Sequence, residues 1–269
     1  MKKFCLISLV AASSAFAADE PPQKIDVKAL PSAATLVDNV VVPVPSEVFG
    51  VLDKLGKPRW EQVLRSTKEQ AQVATEPAQI ALQFGTVIAE GFIAVEAENP
   101  EEVKKIGGSV RKLAAALGVE KHVTNHANAI IKSAEQKDWP TVRHELDLTL
   151  RDVKDAMQAL GSEALSQLVS LGGWLRGTEA LTVVVGKSFT KDGAELLHQP
   201  ILLDYFEKRL SDMPLKIKRH RLIGEVQRGV LEIRPLVGIE DGTQISEKSL
   251  KEVGDVTGRL VKAINSKSN

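Results

Sequence analysis

The chain has 269 residues, with 35 basic and 35 acidic side chains, five histidines and one cysteine. An even charge balance gives no electrostatic case for nucleic acid or an anionic membrane surface as partner. The lone cysteine, Cys5, excludes an internal disulfide, and it sits in a segment that reads as a removable leader.

Lys2 and Lys3 form a positive start. An apolar run from Phe4 to about Ala12 follows, then small residues ending Ala15-Phe16-Ala17. These are the three parts of a secretory signal peptide, with cleavage predicted after Ala17. The run is too short for a bilayer span, and Asp19, Glu20, Pro21 and Pro22 follow it directly. Residues 1–17 are therefore read as the leader, residues 18–45 as an extended proline-rich arm, and residues 46–269 as a single helical domain. The mature protein is expected to be periplasmic or secreted, without a transmembrane segment.

Pro21, Pro22, Pro31, Pro43 and Pro45 set the arm's extended character. Val40 to Val42 suits a short edge strand, with the prolines limiting any ladder. Ser46 is placed to cap a short helix over Glu47 to Leu55. Pro58 opens a second, with Trp60, Val63, Leu64, Thr67 and Ala71 on one side.

The stretch Thr75 to Asn99 is the most apolar after the leader, and from Pro77 to Ala89 it carries no charge. Ile80, Phe84, Val87, Ile88 and Val95 fall at helical spacing, and Ala81, Gly85 and Ala89 form a stripe of small residues. A helix apolar nearly all round is buried on most sides, and the small stripe lets a neighbouring backbone approach. Gln79, Gln83 and Glu90 interrupt it, which favours a protein core over lipid. This is read as the central helix of the fold.

Asn99, Pro100 and Glu102 then mark a helix start, and Gly118 a helix end. A helix is predicted from about Val119 to Lys137. Asp138 caps the next, whose apolar residues Val142, Leu146, Leu150, Val153, Met157 and Leu160 keep a strong helical period. Leu171 to Gly177 is rich in glycine and suggests a break or close crossing of helices, with Trp174 as a core anchor. Leu181 to Val185 is β-branched, yet no partner strand is evident, so it is assigned to helix. Further helices are predicted at Lys191–His198, Pro200–Ser211, Pro214–Ile233 and Ser246–Ile264, with a loop at Pro235 to Thr243. The whole reads as all-α, a bundle of roughly eight to ten helices behind the arm.

Candidate sites are few. Gly186-Lys187-Ser188 lacks the earlier glycine of a phosphate-binding loop, since position 181 is leucine. His122 and His126 stand one helical turn apart and are the candidate metal pair. Glu195 and His198 have the spacing of a di-iron ligand pair, but only one such pair exists. Trp174 among its glycines is the alternative wall of a ligand pocket. Arg219 falls on the apolar face of Pro214–Ile233. There it either extends its head to water or is buried against a carboxylate, with Glu90 or an acidic ligand as partner. Trp174, Arg219 and Glu90 are thus the candidate ligand-binding residues. No complete catalytic set and no cofactor motif is present, so no cofactor is expected.

These observations favour an exported, non-enzymatic protein binding an envelope partner or small ligand. The alternatives are a metal-binding protein or enzyme using histidine and carboxylate inside the bundle, and an assembly protein docking through its arm.

Overall fold

The computed structural model describes residues 35–37, 40–42, 59–65, 73–237 and 244–266. The helices predicted for residues 47–55 and for most of 58–71 lie outside them. In the arm, β1 (Thr35–Val37) pairs antiparallel with β2 (Val40–Val42), in the register Thr35 to Val42 and Val37 to Val40. Among the described residues, a 3-10 turn, Trp60–Gln62, precedes the helices.

Helix α1 (Pro77–Glu96) is the central element, buried from Ala78 through Val95. Its length and composition alone would permit a membrane span; in the fold, its apolar window is wholly covered by protein. It packs most extensively on α5 (Glu163–Lys187), then on α2 (Pro100–Ala116), α4 (Trp139–Ala159) and α10 (Glu247–Asn265). Helix α3 (Thr124–Glu135) joins α2 to α4. The short α6 (Lys191–Glu195) leads to α7 (Pro200–Asp212), α8 (Leu215–Lys218) and α9 (Arg221–Val237). Helix α9 packs on α7 and α10.

The small residues of α1 meet those of α5 at the main crossing. A Cβ on Gly85 would run into the Val169 carbonyl oxygen and lie 2.6 Å from the Gly173 nitrogen. A Cβ on Gly172 would run into the Leu82 carbonyl oxygen. The backbones therefore touch, and glycine is the residue that permits it.

The polar residues of α1 are employed. The Gln79 amide donates to Ile264 O and Ser266 O, each at 2.9 Å, closing the end of α10. Gln83 Oε1 accepts the Ala74 N–H at 3.0 Å, fixing the entry into α1. Glu96 takes a bidentate grip from Arg143 of α4, both bonds at 2.8 Å. Buried polar groups need such partners, because each one left unpaired costs about 1–3 kcal/mol.

Several boundaries differ from the sequence reading. Leu171 to Gly177 is the close crossing and not a break, since α5 runs through it and Gly172 and Gly173 lie against the backbone of α1. The segment at Val119 is not yet α-helix. A 3-10 turn, Glu120–His122, comes first. Pro214–Ile233 divides at Arg219 and His220 into α8 and α9. Pro235 lies inside α9, near its end; the bond its missing N–H would have made is to Leu231, an exposed residue of the helix. Asn99 and Asp138 cap as expected, accepting from Glu102 N at 3.1 Å and Thr141 N at 3.3 Å.

Candidate functional site

Two features stand out, and they share one residue. The first is a buried charge cluster beside the α1–α5 crossing. Glu90 of α1 and Arg176 of α5 are 1% and 2% exposed. Arg176 Nε donates to Glu90 Oε2 at 2.6 Å, and its Nη1 to Glu179 Oε2 at 3.3 Å. Its Nη2 donates to the Val63 carbonyl at 2.6 Å. Glu90 Oε1 accepts the main-chain N–H of Arg65 at 2.6 Å, and the Arg65 guanidinium binds Glu179. Each buried charge is thus both paired and hydrogen-bonded, the condition under which burial is tolerated. The cluster fastens the segment Trp60–Arg65, a strap across the bundle, to α1 and α5. Trp60 and Val63 bury their side chains beneath it.

The second feature is an open groove of about 620 Å³ between α5 and α10. Thr182, Val183 and Gly186 line one wall and Leu250 and Gly254 the other. Gly254 leaves room for Thr182, whose hydroxyl would sit 2.9 Å from an added Cβ. Glu247, Lys248, Lys251 and Asp255 supply charges of both signs, and Glu179 joins the groove to the buried cluster.

The residues predicted as ligand-binding do not converge. Glu90 is buried as expected of an internal charge, but its partner is Arg176. Arg219 is exposed on the turn between α8 and α9, because the helix that would have carried it inward is interrupted there. Trp174 is half-buried between α5 and α7. Its Nε1–H donates to Gln199 Oε1 at 3.0 Å, and its ring centroid lies 5.4 Å from that of Phe206.

His122 and His126 are also separated. His122 is exposed on its 3-10 turn, while His126 lies on α3. The His126 ring is bracketed by two carboxylates of α4, with Nδ1 2.7 Å from Glu145 Oε2 and Nε2 3.0 Å from Asp152 Oδ2. They occupy opposite nitrogens, so the three groups do not point at a common ion. No group suited to hold a metal occurs among the described residues. Burial disfavours the imidazolium, but the hydrogen bonds and charges of Glu145 and Asp152 outweigh it and raise the His126 pKa. Asp152 is lowered: desolvation opposes the shift, and the bonds to His126 and Arg151 overcome it. Burial also lowers the Lys154 pKa, against the attraction of Asp155.

Sequence reasoning did not find Arg176, Glu179 or the groove. Arg176 and Glu179, three apart on a helix, read as an ordinary surface pair. The available signal was Arg176 standing in the otherwise apolar course of α5. For the groove, it was the glycines Gly186 and Gly254 within helical stretches.

No protein family, curated protein or solved structure matches the chain.

Proposed function

We propose that the chain is exported and acts in the cell envelope as a non-enzymatic helical binding protein, taking a partner or small ligand in the groove between α5 and α10. The groove carries this reading. It has an apolar wall with Val183 38% exposed, and charges of both signs at its margin. Such a concavity, mostly apolar with a few placed polar groups, is the usual form of a binding site. Export is supported by the three-part leader ending at Ala17. A non-enzymatic role is supported by the way Glu90, Arg176, Glu145, Asp152 and His126 are bonded to one another, which commits them to joining helices.

The test compares the mature protein with Val183→Arg, a change at an exposed position that fills the groove. Both are purified from the envelope fraction and analysed by mass spectrometry for co-purifying molecules. A species retained by the wild type and lost from the variant is expected. Equal retention by both would remove the groove from the proposal, and an intact Met1 form confined to the cytoplasm would remove export.

A further inference from the structure

The even charge of the whole chain hides one local excess. Lys216, Lys218, Arg219 and Arg221 follow closely on one another, and no acidic side chain stands between Asp212 and Glu225. All four are exposed, on and beside the turn that joins α8 to α9. Elsewhere the bundle pairs its arginines: Arg234 with Asp204 and Glu207, Arg259 with Glu232, Arg143 with Glu96. Among the described residues, Lys216, Arg219 and Arg221 have no such partner. An apolar side chain stands in their midst. Leu215 is 66% exposed, as much as any large apolar residue described. Arg219 N donates to Leu215 O at 3.1 Å, so the turn is helical, and Leu215, Lys218 and Arg219 come to one side of it. The turn is held from beneath. Met213 is buried, Ile217 packs half-buried on the core, and Lys218 Nζ donates to Ser211 O of α7 at 2.7 Å. The fold thus anchors this turn with its other apolar residues and leaves Leu215 in water.

We propose that the α8–α9 turn docks the protein on a phospholipid surface bearing anionic headgroups, with Leu215 inserted and Lys216, Lys218, Arg219 and Arg221 against the phosphates. At such a surface an apolar side chain enters the boundary of the acyl region while the charged heads around it stay at the headgroups. A folded protein partner fits less well. A stable protein interface buries about 800 Å² on each side, and this surface is one turn. Nucleic acid would use the cations and leave the leucine in water. Each cation near an anionic leaflet raises partitioning about fivefold, and the attraction fades beyond about 10 Å at 0.1 M salt. Docking through one leucine and four cations is therefore reversible and weakened by salt. The proposal does not depend on export or on what the groove binds.

The test is sedimentation with vesicles, either of phosphatidylcholine alone or of phosphatidylcholine and phosphatidylglycerol in equal parts. The protein is used as cells yield it, so any contribution of residues 1–17 is common to every variant. All are compared at a temperature where circular dichroism shows them folded. The wild type is expected to sediment with the anionic vesicles, to leave the neutral ones alone, and to be released by salt. Lys216→Gln with Arg219→Gln removes two cations and should weaken binding about 25-fold. Lys112→Gln with Lys121→Gln makes the same change in net charge at two exposed positions elsewhere, and should stay within about twofold of the wild type. Leu215→Ser should weaken binding about tenfold and leave the salt dependence unchanged. No binding of the wild type to anionic vesicles, or an equal loss in the two lysine and arginine pairs, would overturn the proposal. A loss with Lys216→Gln and Arg219→Gln but none with Leu215→Ser would also overturn it, and would leave an acidic protein surface as the partner these cations fit.

Discussion

Gly85→Ala is the smallest change that tests the fold's organising contact. The added methyl would run into the Val169 carbonyl oxygen, lie 2.6 Å from Gly173 N and 3.0 Å from Val169 C. All are main-chain atoms of α5, so no side chain can rotate away. Relief requires α5 to move off α1, toward an ordinary carbon–oxygen contact of about 3.3–3.6 Å. That is a displacement of about 1 Å or more, and a gap of only about 0.5–1 Å already forfeits about a quarter to a half of the dispersion energy of each atom pair it opens. The loss extends along the interface, because Gly172 is seated on Leu82 in the same crossing. Overpacking usually costs about 1–3 kcal/mol and sometimes more; with two backbones in contact, we expect about 3 kcal/mol or above. For a chain of this size that is a fall of roughly 6–12 °C in melting temperature. Gly85→Leu should fail to fold. Gly108→Ala is the control, since nothing lies within 4 Å of its added methyl. It should gain about 0.5–1 kcal/mol through helix propensity. The assay is thermal denaturation followed by circular dichroism. Gly85→Ala melting with the wild type would refute the close crossing.

Other changes address the remaining contacts. Trp174→Ala should leave a folded protein destabilised by about 2 kcal/mol, below the 3–5 kcal/mol range for large aromatics because the ring is half-buried; an unchanged denaturation midpoint would show that its contacts with Gln199 and Phe206 hold nothing. Arg176→Met or Glu90→Gln alone should cost about 3–5 kcal/mol, because each strands a buried charge, and a neutral result for either would place the pair in water. His126 should make stability depend on pH. Its raised pKa means that its contribution is full below the ordinary value of 6.5 and is lost as pH rises through the higher folded value. The lowered pKa of Asp152 gives a contribution present above 3.8 and lost as pH falls through the folded value. Denaturation of wild type and His126→Gln should therefore differ most at mildly acidic pH and converge in alkali; a difference independent of pH would refute the bracketed imidazolium.

The central helix was legible because its signals agree. An uncharged run, helical spacing and a small-residue stripe all place Ala78 to Val95 inside. The Asn99 and Asp138 caps were equally plain, being local hydrogen bonds between residues three apart. What misled were residues whose local preference a distant partner overrides. Gly172 is a poor helix former and suggested a break, yet α5 keeps it because the Leu82 carbonyl leaves no room for a side chain there. Arg219 was assigned to an apolar face by a period that stops at the turn it occupies. Glu90 was recognisable as an isolated buried charge, but its partner lies 86 residues away, and Arg176 has Glu179 three residues on to read as its own helix pair. The groove depends on two helices meeting side by side, which no single stretch of sequence describes.

The charges at Glu90 and Arg176 need a reason other than stability. Bringing an ion pair out of water costs about as much as the attraction returns, and apolar residues of similar volume often do as well. What apolar residues cannot do is bind the Val63 carbonyl and the Arg65 N–H. Replacing both charges, Glu90→Leu with Arg176→Met, separates the two roles. The helices lose a costly pair and gain packing, so the bundle should melt close to the wild type, unlike either single change. The strap loses two partners, and each main-chain group left buried without one costs about 1–3 kcal/mol. The least costly relief is for the strap to lift into water, leaving Arg65 and Glu179 as an isolated pair. Limited trypsin digestion should then cut after Arg65 faster than in the wild type, while the helical core survives. A double variant as unstable as the singles would show that the pair holds the helices themselves. A strap as protected as before would show that Trp60 and Val63, not the charged grip on the main chain, keep it in place.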